Sequence, residues 1–367
     1  MDITIHKTDD LIHKTDDLIH KTARMILPPD QNAAAAAQKR WNSIAKPLHG
    51  LGKLEDLIVT LAGIQRTDRV RIDKKALVVM CADNGVVEEG VTQTGQEVTA
   101  IVAENFHKGE TSAAVLCKAA GADLFPVDVG MTADMPHVER RKTMYGTRNM
   151  TKGPAMTREE CLAAVAAGIG KAAELKERGY QILASGEMGI GNTTTSAAVA
   201  AVLLHVTPEK VTGRGAGLSD EGLVRKVDAI HRAIAWNRPD QEDPVDVLAK
   251  VGGLDIAALS GLFLGGAAQG IAVVADGFIS CAAALAAVRI APACRPYILA
   301  SHMSDEPASN MVLQALDMDP VLHAGMHLGE GTGAVALFPL LDMALKVYNQ
   351  MSTFDGIEIE PYQEFTK

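Results

Sequence analysis

Cysteine is scarce in this 367-residue chain. Its five cysteines, Cys81, Cys117, Cys161, Cys281 and Cys294, are scattered, with no Cys-x-x-Cys pair. An odd, dispersed set argues against a disulfide framework or a zinc ribbon and points to reduced thiols and a cytoplasmic location. Basic excess is also missing: 35 lysines and arginines stand against 45 acidic residues, a net charge of −10. That balance disfavours nucleic acid or an anionic membrane as partner, while leaving room for a small phosphorylated ligand in a local pocket. Near its start the chain has no apolar run of the kind a secretory signal uses. The apolar region from Leu254 to Ala293 is broken by Asp255, Gln269, Asp276, Arg289 and frequent glycines, so it reads as buried core rather than a membrane span. No His, Cys or Asp set has metal-ligand spacing, and no metal or cofactor is expected.

What is present is a chain long enough for a large core and two or three domains. Residues 5–22 hold a heptad-length repeat, Ile5-His-Lys-Thr-Asp-Asp-Leu11, then 12–18 identically, then 19–22. Two and a half heptads are too few for a coiled coil, and seven-residue spacing of His6, His13 and His20 is poor for chelation, so the repeat reads as a duplicated piece of a terminal helix. Residues 23–66 read as helical, with a start signal at Pro28-Pro29-Asp30 and a break at 46–52. From residue 76 strands and helices alternate. Strands are expected at 76–82, 122–129, 181–185 and 296–300. Helices are expected at 97–119, 157–178 (capped by Thr157), 194–205, 220–236, 254–270, 277–288 and 307–316. This order predicts an α/β fold, a doubly wound, Rossmann-like parallel sheet with a small helical domain. The expected division is a repeat-containing extension over 1–22, a helical domain over 23–69 joined by 346–367, and an α/β catalytic domain over 70–345. The tail from Tyr348 is polar, with no evident role.

Five glycine-rich or strand-end segments can carry chemistry. Leu328-Gly-Glu-Gly-Thr-Gly-Ala334 sets one carboxylate, Glu330, between glycines that let a backbone approach a ligand; burial there makes a proton acceptor near neutrality, and exposure makes an ordinary turn. Gly186-Glu-Met-Gly-Ile-Gly-Asn-Thr-Thr-Thr195 follows a strand and opens a helix. It is neither a dinucleotide fingerprint nor a P-loop, and serves either as an anion site or as close helix–strand packing. Thr212-Gly-Arg-Gly-Ala-Gly-Leu218 precedes a helix containing Lys226, a point charge for a phosphate or a surface lysine. Ser304 follows the strand at 296–300 and either donates to an anion or caps a helix. Asp83-Asn84-Gly85 ends the first strand, where ligands bind in open α/β sheets. His302 and His323 read as structural histidines.

Taken together, Met80-Cys-Ala-Asp-Asn-Gly-Val-Val-Glu-Glu-Gly-Val91, 186–194, Val251-Gly-Gly-Leu-Asp-Ile256 and 328–334 resemble the nicotinate-nucleotide:dimethylbenzimidazole phosphoribosyltransferase family, with similarity from about Pro28 to Tyr348. The resemblance implies an enzyme that moves ribose phosphate from nicotinate mononucleotide to an aromatic base, giving an α-linked nucleotide for cobamides, with no metal and as a dimer, with itself or with a paralogous subunit. It implies that Glu330 is the catalytic base and Glu187 a second active-site carboxylate. Met188 and Gly189 would line base and ribose. Gly215, Lys226 and Ser304 would hold the phosphate and its neighbours, with Gly329 beside the base. Thr94 would lie near the incoming ring and Leu328 would form an apolar wall. The chain departs from the family pattern at Asn84, where a histidine is common, in the loop 47–52, and at Val102, where benzimidazole-using members can carry a glutamine. An apolar residue there suits a base with fewer nitrogens, such as a phenol joined through oxygen in a heteromeric enzyme. Two other classes compete. A degenerate partner subunit would be free to lose Glu330, which is retained. A nicotinamide-dependent dehydrogenase would need the GxGxxG and ribose-acid spacing that are missing.

Overall fold

The computed structural model describes residues 17–363. Residues 17–25 are helical; the rest of the heptad repeat lies outside the described residues. Six parallel strands form one sheet: β1 (Lys75–Ala82), β2 (Ala122–Gly130), β3 (Glu139–Arg140), β4 (Ile182–Met188), β5 (Ala272–Ala275) and β6 (Ile298–Ala300), in the order β3-β2-β1-β4-β5-β6. This is the doubly wound order, and the winding reverses between β1 and β4. Every residue of β1 is buried, which explains its unbroken apolar run: a central strand covered on both faces has no solvent side to mark by alternation. In register, Met80 of β1 stands opposite Glu187 of β4 and Cys81 opposite Met188.

The helices start where local chemistry provides a cap. Asp30 Oδ1 accepts from the N–H groups of Asn32 (2.9 Å) and Ala33 (3.0 Å) and opens Gln31–Ser43. Thr157 and Glu160 form a reciprocal capping box at Arg158–Glu177, and caps of this type are worth about 1 kcal/mol each. In the region 254–293, residues Leu254 through Ala267 are all buried, so the apolar stretch is core. Among the described residues no helix is long and apolar enough to cross a membrane, and all five cysteines are free and buried.

The structure corrects several boundaries. Residues 97–119 form two helices, Glu97–Lys108 and Ser112–Ala120, because Gly109 ends the first at φ 77° and the Thr111 hydroxyl caps the second. β4 runs to Met188 rather than stopping at Ser185, so Glu187 and Met188 lie in the strand and not in the loop after it. β3 is only two residues long, and β5 is four apolar residues inside a longer apolar stretch, where periodicity cannot separate strand from helix. The helices Pro208–Val211 and Pro244–Val251 also went unrecognised, as did Thr332–Gln350, whose interior Pro339 argues against a helix in sequence. The tail from Tyr348 has a structural role. Tyr348 is buried edge-on against Trp41 at 5.0 Å, its hydroxyl donates to the Asp68 carbonyl (2.9 Å), and Thr353 bridges Ile44. This ties the end of the chain to the helical lobe.

Candidate active site

Four chain segments meet at the carboxyl ends of β4, β5 and β6. Their side chains line one cavity that includes Glu187, Asn192, Asp276, His302, Glu306 and Glu330. The loop before Thr332–Gln350 takes three left-handed residues in succession: Gly329 (φ 87°), Glu330 (φ 60°) and Gly331 (φ 84°). Glu330 bears a side chain in a conformation that disfavours one. Glycine is required at 331, since a Cβ there would lie 2.3 Å from Leu77 Cδ1.

Asp276 holds this loop. It follows β5 directly and accepts from Gly333 N–H (2.7 Å) and Ala334 N–H (3.0 Å) on Oδ1 and from Gly331 N–H (3.2 Å) on Oδ2. It thereby caps the helix from outside its own sequence neighbourhood. His302 lies behind it, with Nδ1 3.9 Å from Asp276 Oδ1 and 2.9 Å from Ser301 Oγ.

The Glu330 carboxyl is half-buried, and its Oε2 has no hydrogen-bond partner. Desolvation raises its pKa; the Ala113 N–H works against that and the Asp276 charge adds to it. Glu187 is more deeply enclosed. Its Oε2 accepts from the Asn192 amide, and its Oε1 receives a long 3.4 Å contact from Glu330 N–H. Burial, reinforced by the charge of Asp255, lifts its pKa well above the carboxylate range. Asn192 donates through the same nitrogen to Asp255 Oδ2 at 3.0 Å, and burial moves Asp255 up to about 7. Gly189 permits this crowding: a Cβ there would stand 2.4 Å from the Ala82 carbonyl oxygen and 2.7 Å from Asp255 Oδ2.

Lys226, from helix Asp220–Asn237, is buried beside the lining residues Thr193 and Gly215, not the surface lysine its sequence context allows. Its Nζ donates to Thr193 Oγ1 (2.8 Å) and the Gly213 carbonyl (3.0 Å). Both partners are neutral, which leaves the positive charge available to an anion. Desolvation lowers its pKa to about 8, with the Glu306 charge pulling the other way. Gly215 takes φ 53°, and the buried Ser304 hydroxyl, also in the lining, takes a 3.4 Å contact from Glu306 N–H. Met188, Gly189, Leu328 and Gly329 also line the cavity, Leu328 with 55% of its surface exposed.

Besides Lys226, two expected site residues stand apart from this lining. Thr94 is exposed in the loop 91–96, whose Gln93 donates to the Gly217 carbonyl, and Val102 is half-buried one helical turn beyond Thr99. Thr99 Oγ1 accepts from Ile190 N–H (3.1 Å), so that helix braces the exit of β4. Asp83 is likewise a brace, accepting from Thr132 N–H (2.7 Å) and its hydroxyl (2.8 Å). Asn192, Asp255, Asp276 and Glu306 were missed as functional candidates. Asn192 and Asp255 lay inside the singled-out segments 186–195 and 251–256 without being picked out, and the signal for Asp276 was an Asp-Gly after 272–275, a stretch left unassigned between two expected helices. Among the described residues no group of three or more His, Cys, Asp or Glu side chains is disposed to hold a metal ion.

The cavity thus offers a desolvated carboxylate and, next to its Thr193 and Gly215 lining, a buried cation held by neutral acceptors. A phosphoribosyltransferase family model matches residues 26–359. The nicotinate-nucleotide–dimethylbenzimidazole phosphoribosyltransferase of Ruminiclostridium cellulolyticum is 50% identical over 329 residues, covering 89% of this chain and 94% of that protein. That of Acetivibrio thermocellus is 50% identical over 328 residues, covering 89% and 93%. The crystal structure of the Thermus thermophilus enzyme of the same name superimposes with a TM-score of 0.85 at 39% identity, covering 91% of this chain and all of that one. The chain therefore belongs to the nicotinate-nucleotide:dimethylbenzimidazole phosphoribosyltransferase family and is an enzyme that transfers a phosphoribosyl group.

Proposed function

We propose that the enzyme moves ribose 5-phosphate from nicotinate mononucleotide to an aromatic lower-ligand base, giving an α-linked nucleotide for cobamide synthesis and free nicotinate. The observation that carries this reading is one cavity lined by Glu330, a half-buried carboxylate with one unpartnered oxygen, and by Thr193, whose hydroxyl accepts from Lys226, a buried cation whose hydrogen-bond partners are neutral. The bound nicotinate is a pyridinium, and its departure neutralises a positive charge without an acid. What remains is to anchor the phosphate, align the ring and remove a proton from the acceptor. Lys226, Gly215 and Ser304 take the phosphate end. Met188, Gly189, Leu328 and Gly329 shape the ribose and ring end, and Glu330 receives the proton.

Lys226 also sets a pH dependence. Its folded pKa lies below the ordinary lysine value, so its charge is present at neutrality and lost as pH rises through about 8. The expected result is a nucleotide KM that climbs above that pH, about tenfold per unit, with kcat little changed. A KM flat to pH 9.5 would remove Lys226 from the phosphate site.

A second reading concerns the acceptor. Val102, outside the cavity lining, is apolar where benzimidazole-using members can carry a glutamine, and that difference in sequence is what supports a phenol-using member acting as one subunit of a heteromeric enzyme. The test of both is nicotinate release from nicotinate mononucleotide by the purified chain with dimethylbenzimidazole, phenol and p-cresol in parallel. Acceptor-dependent release establishes the reaction and the best acceptor names the class. Release with none of them, by a folded chain, counts against both readings.

A further inference from the structure

Glu187 and Asp255 come from different parts of the chain, the end of β4 and the first turn of helix Leu254–Ala268, yet they share one amide nitrogen of Asn192. Asp255 is fully buried and Glu187 is 6% exposed. Two carboxylates this close in a poorly solvated site cannot both ionise, and they titrate as a pair holding one proton. The charged groups facing Glu187 are all acidic: Asp255 from its helix, Asp276 from the turn after β5, with His302 behind it, and Glu330 from the adjoining loop, while Asp83 at the end of β1 bears on Asp255. The cation buried nearby, Lys226, is engaged with Thr193 and Gly213.

Hydrogen bonding decides which member is charged. Asp255 sits at a helix N-terminus and accepts from Ile256 N–H at 3.0 Å as well as from Asn192. A carboxylate with charge-favouring donors keeps its charge. Glu187 has Asn192 on Oε2 and only the 3.4 Å contact on Oε1, which leaves Oε1 for a proton. We propose that Asp255 and Asn192 are positioning residues for Glu187: the shared amide aligns the two carboxyl groups, and the single proton of the pair resides on Glu187, which meets the bound nucleotide as a hydrogen-bond donor rather than as a second base. The inference rests on the phosphoribosyl-transfer reading above and assigns a role within that site. Its physical sense is charge economy. The donor nucleotide brings a phosphate and a carboxylate, and the cavity already contains Asp276, Glu306 and Glu330. A neutral Glu187 can donate to an oxygen of that anion, and an ionised one would repel it.

The test is an infrared titration of the full-length protein, using the carboxylic C=O band that disappears in Glu187→Gln to isolate Glu187. A protonated band is expected at pH 7. In Asp255→Asn its midpoint falls by at least about one pH unit, since a neighbouring negative charge is removed. In Asn192→Ala it rises, because a donor to the charged form is lost; two packing defects would not give opposite signs. In turnover, Glu187→Gln, which still donates, should run at least about tenfold faster than Glu187→Ala. Absence of a Glu187 band at pH 7, a midpoint unmoved by Asp255→Asn, or a Gln variant as slow as the Ala variant each overturns the proposal. If the wild-type protein releases no nicotinate, the reaction assigned above fails, while the titration still decides where the proton resides.

Discussion

Glu330→Gln is expected to lower kcat for acceptor-dependent nicotinate release by about 10²–10⁴-fold, the usual range for loss of a positioned proton acceptor, with nucleotide KM changed by no more than a few-fold. The substitution keeps length, shape and the left-handed backbone at φ 60°, so the strain of the loop is the same before and after. It removes only the ability to take a proton. Because burial raises the Glu330 pKa, the wild-type rate should fall on acidification at a pH above the ordinary glutamate range, as the base becomes protonated. That acidic limb should vanish in the variant. A loss smaller than about tenfold, or an unchanged acidic limb, would assign the proton to another group.

Asp276→Ala should produce the second large effect, and on two observables. One side chain supplies the acceptors for the N–H groups of Gly331, Gly333 and Ala334. Alanine leaves three buried donors at a helix start without partners, and each such orphan costs about 1–3 kcal/mol. Some of these N–H groups will find water, so the expected loss in urea unfolding is about 3 kcal/mol or more. The loop carrying Glu330 also loses its anchor, and kcat should drop about 10²-fold from misplacement of the base alone. Asp276→Asn retains one acceptor oxygen and should fall between alanine and wild type. If Asp276→Ala lost stability but kept its rate, the loop would be held by something other than this clamp.

The alternation of apolar runs and helical segments was enough to name a doubly wound sheet, because β1, β2, β4 and β6 are bounded by turns that interrupt them. Thr157 and Asp30 were legible as helix starts because a cap acts over three residues and so lies within one window of sequence. The glycine-rich loop was legible for a similar reason: Gly329, Glu330 and Gly331 are adjacent, and glycines flanking a lone acid are a local signal. β5 was not legible. Four apolar residues buried in the centre of a sheet have the same composition as the buried helices on either side, and only pairing with β4 and β6 separates them.

That missed strand explains why Asp276 was missed. Asp276 gains its meaning from the position of β5 beside the loop at 331–334, fifty-five residues or more away in the chain. Asp255 likewise depends on a helix start being laid against the end of β4. Neighbours along the chain were enough to give the class of fold, the helix caps and a lone acid between glycines, since each is a local property. Tertiary structure alone decided that Lys226 is buried beside Thr193, that Asp276 clamps the glycine-rich loop, and that Glu187 and Asp255 share one amide. Those are consequences of desolvation and of contacts between distant segments, and neither is encoded in any local window.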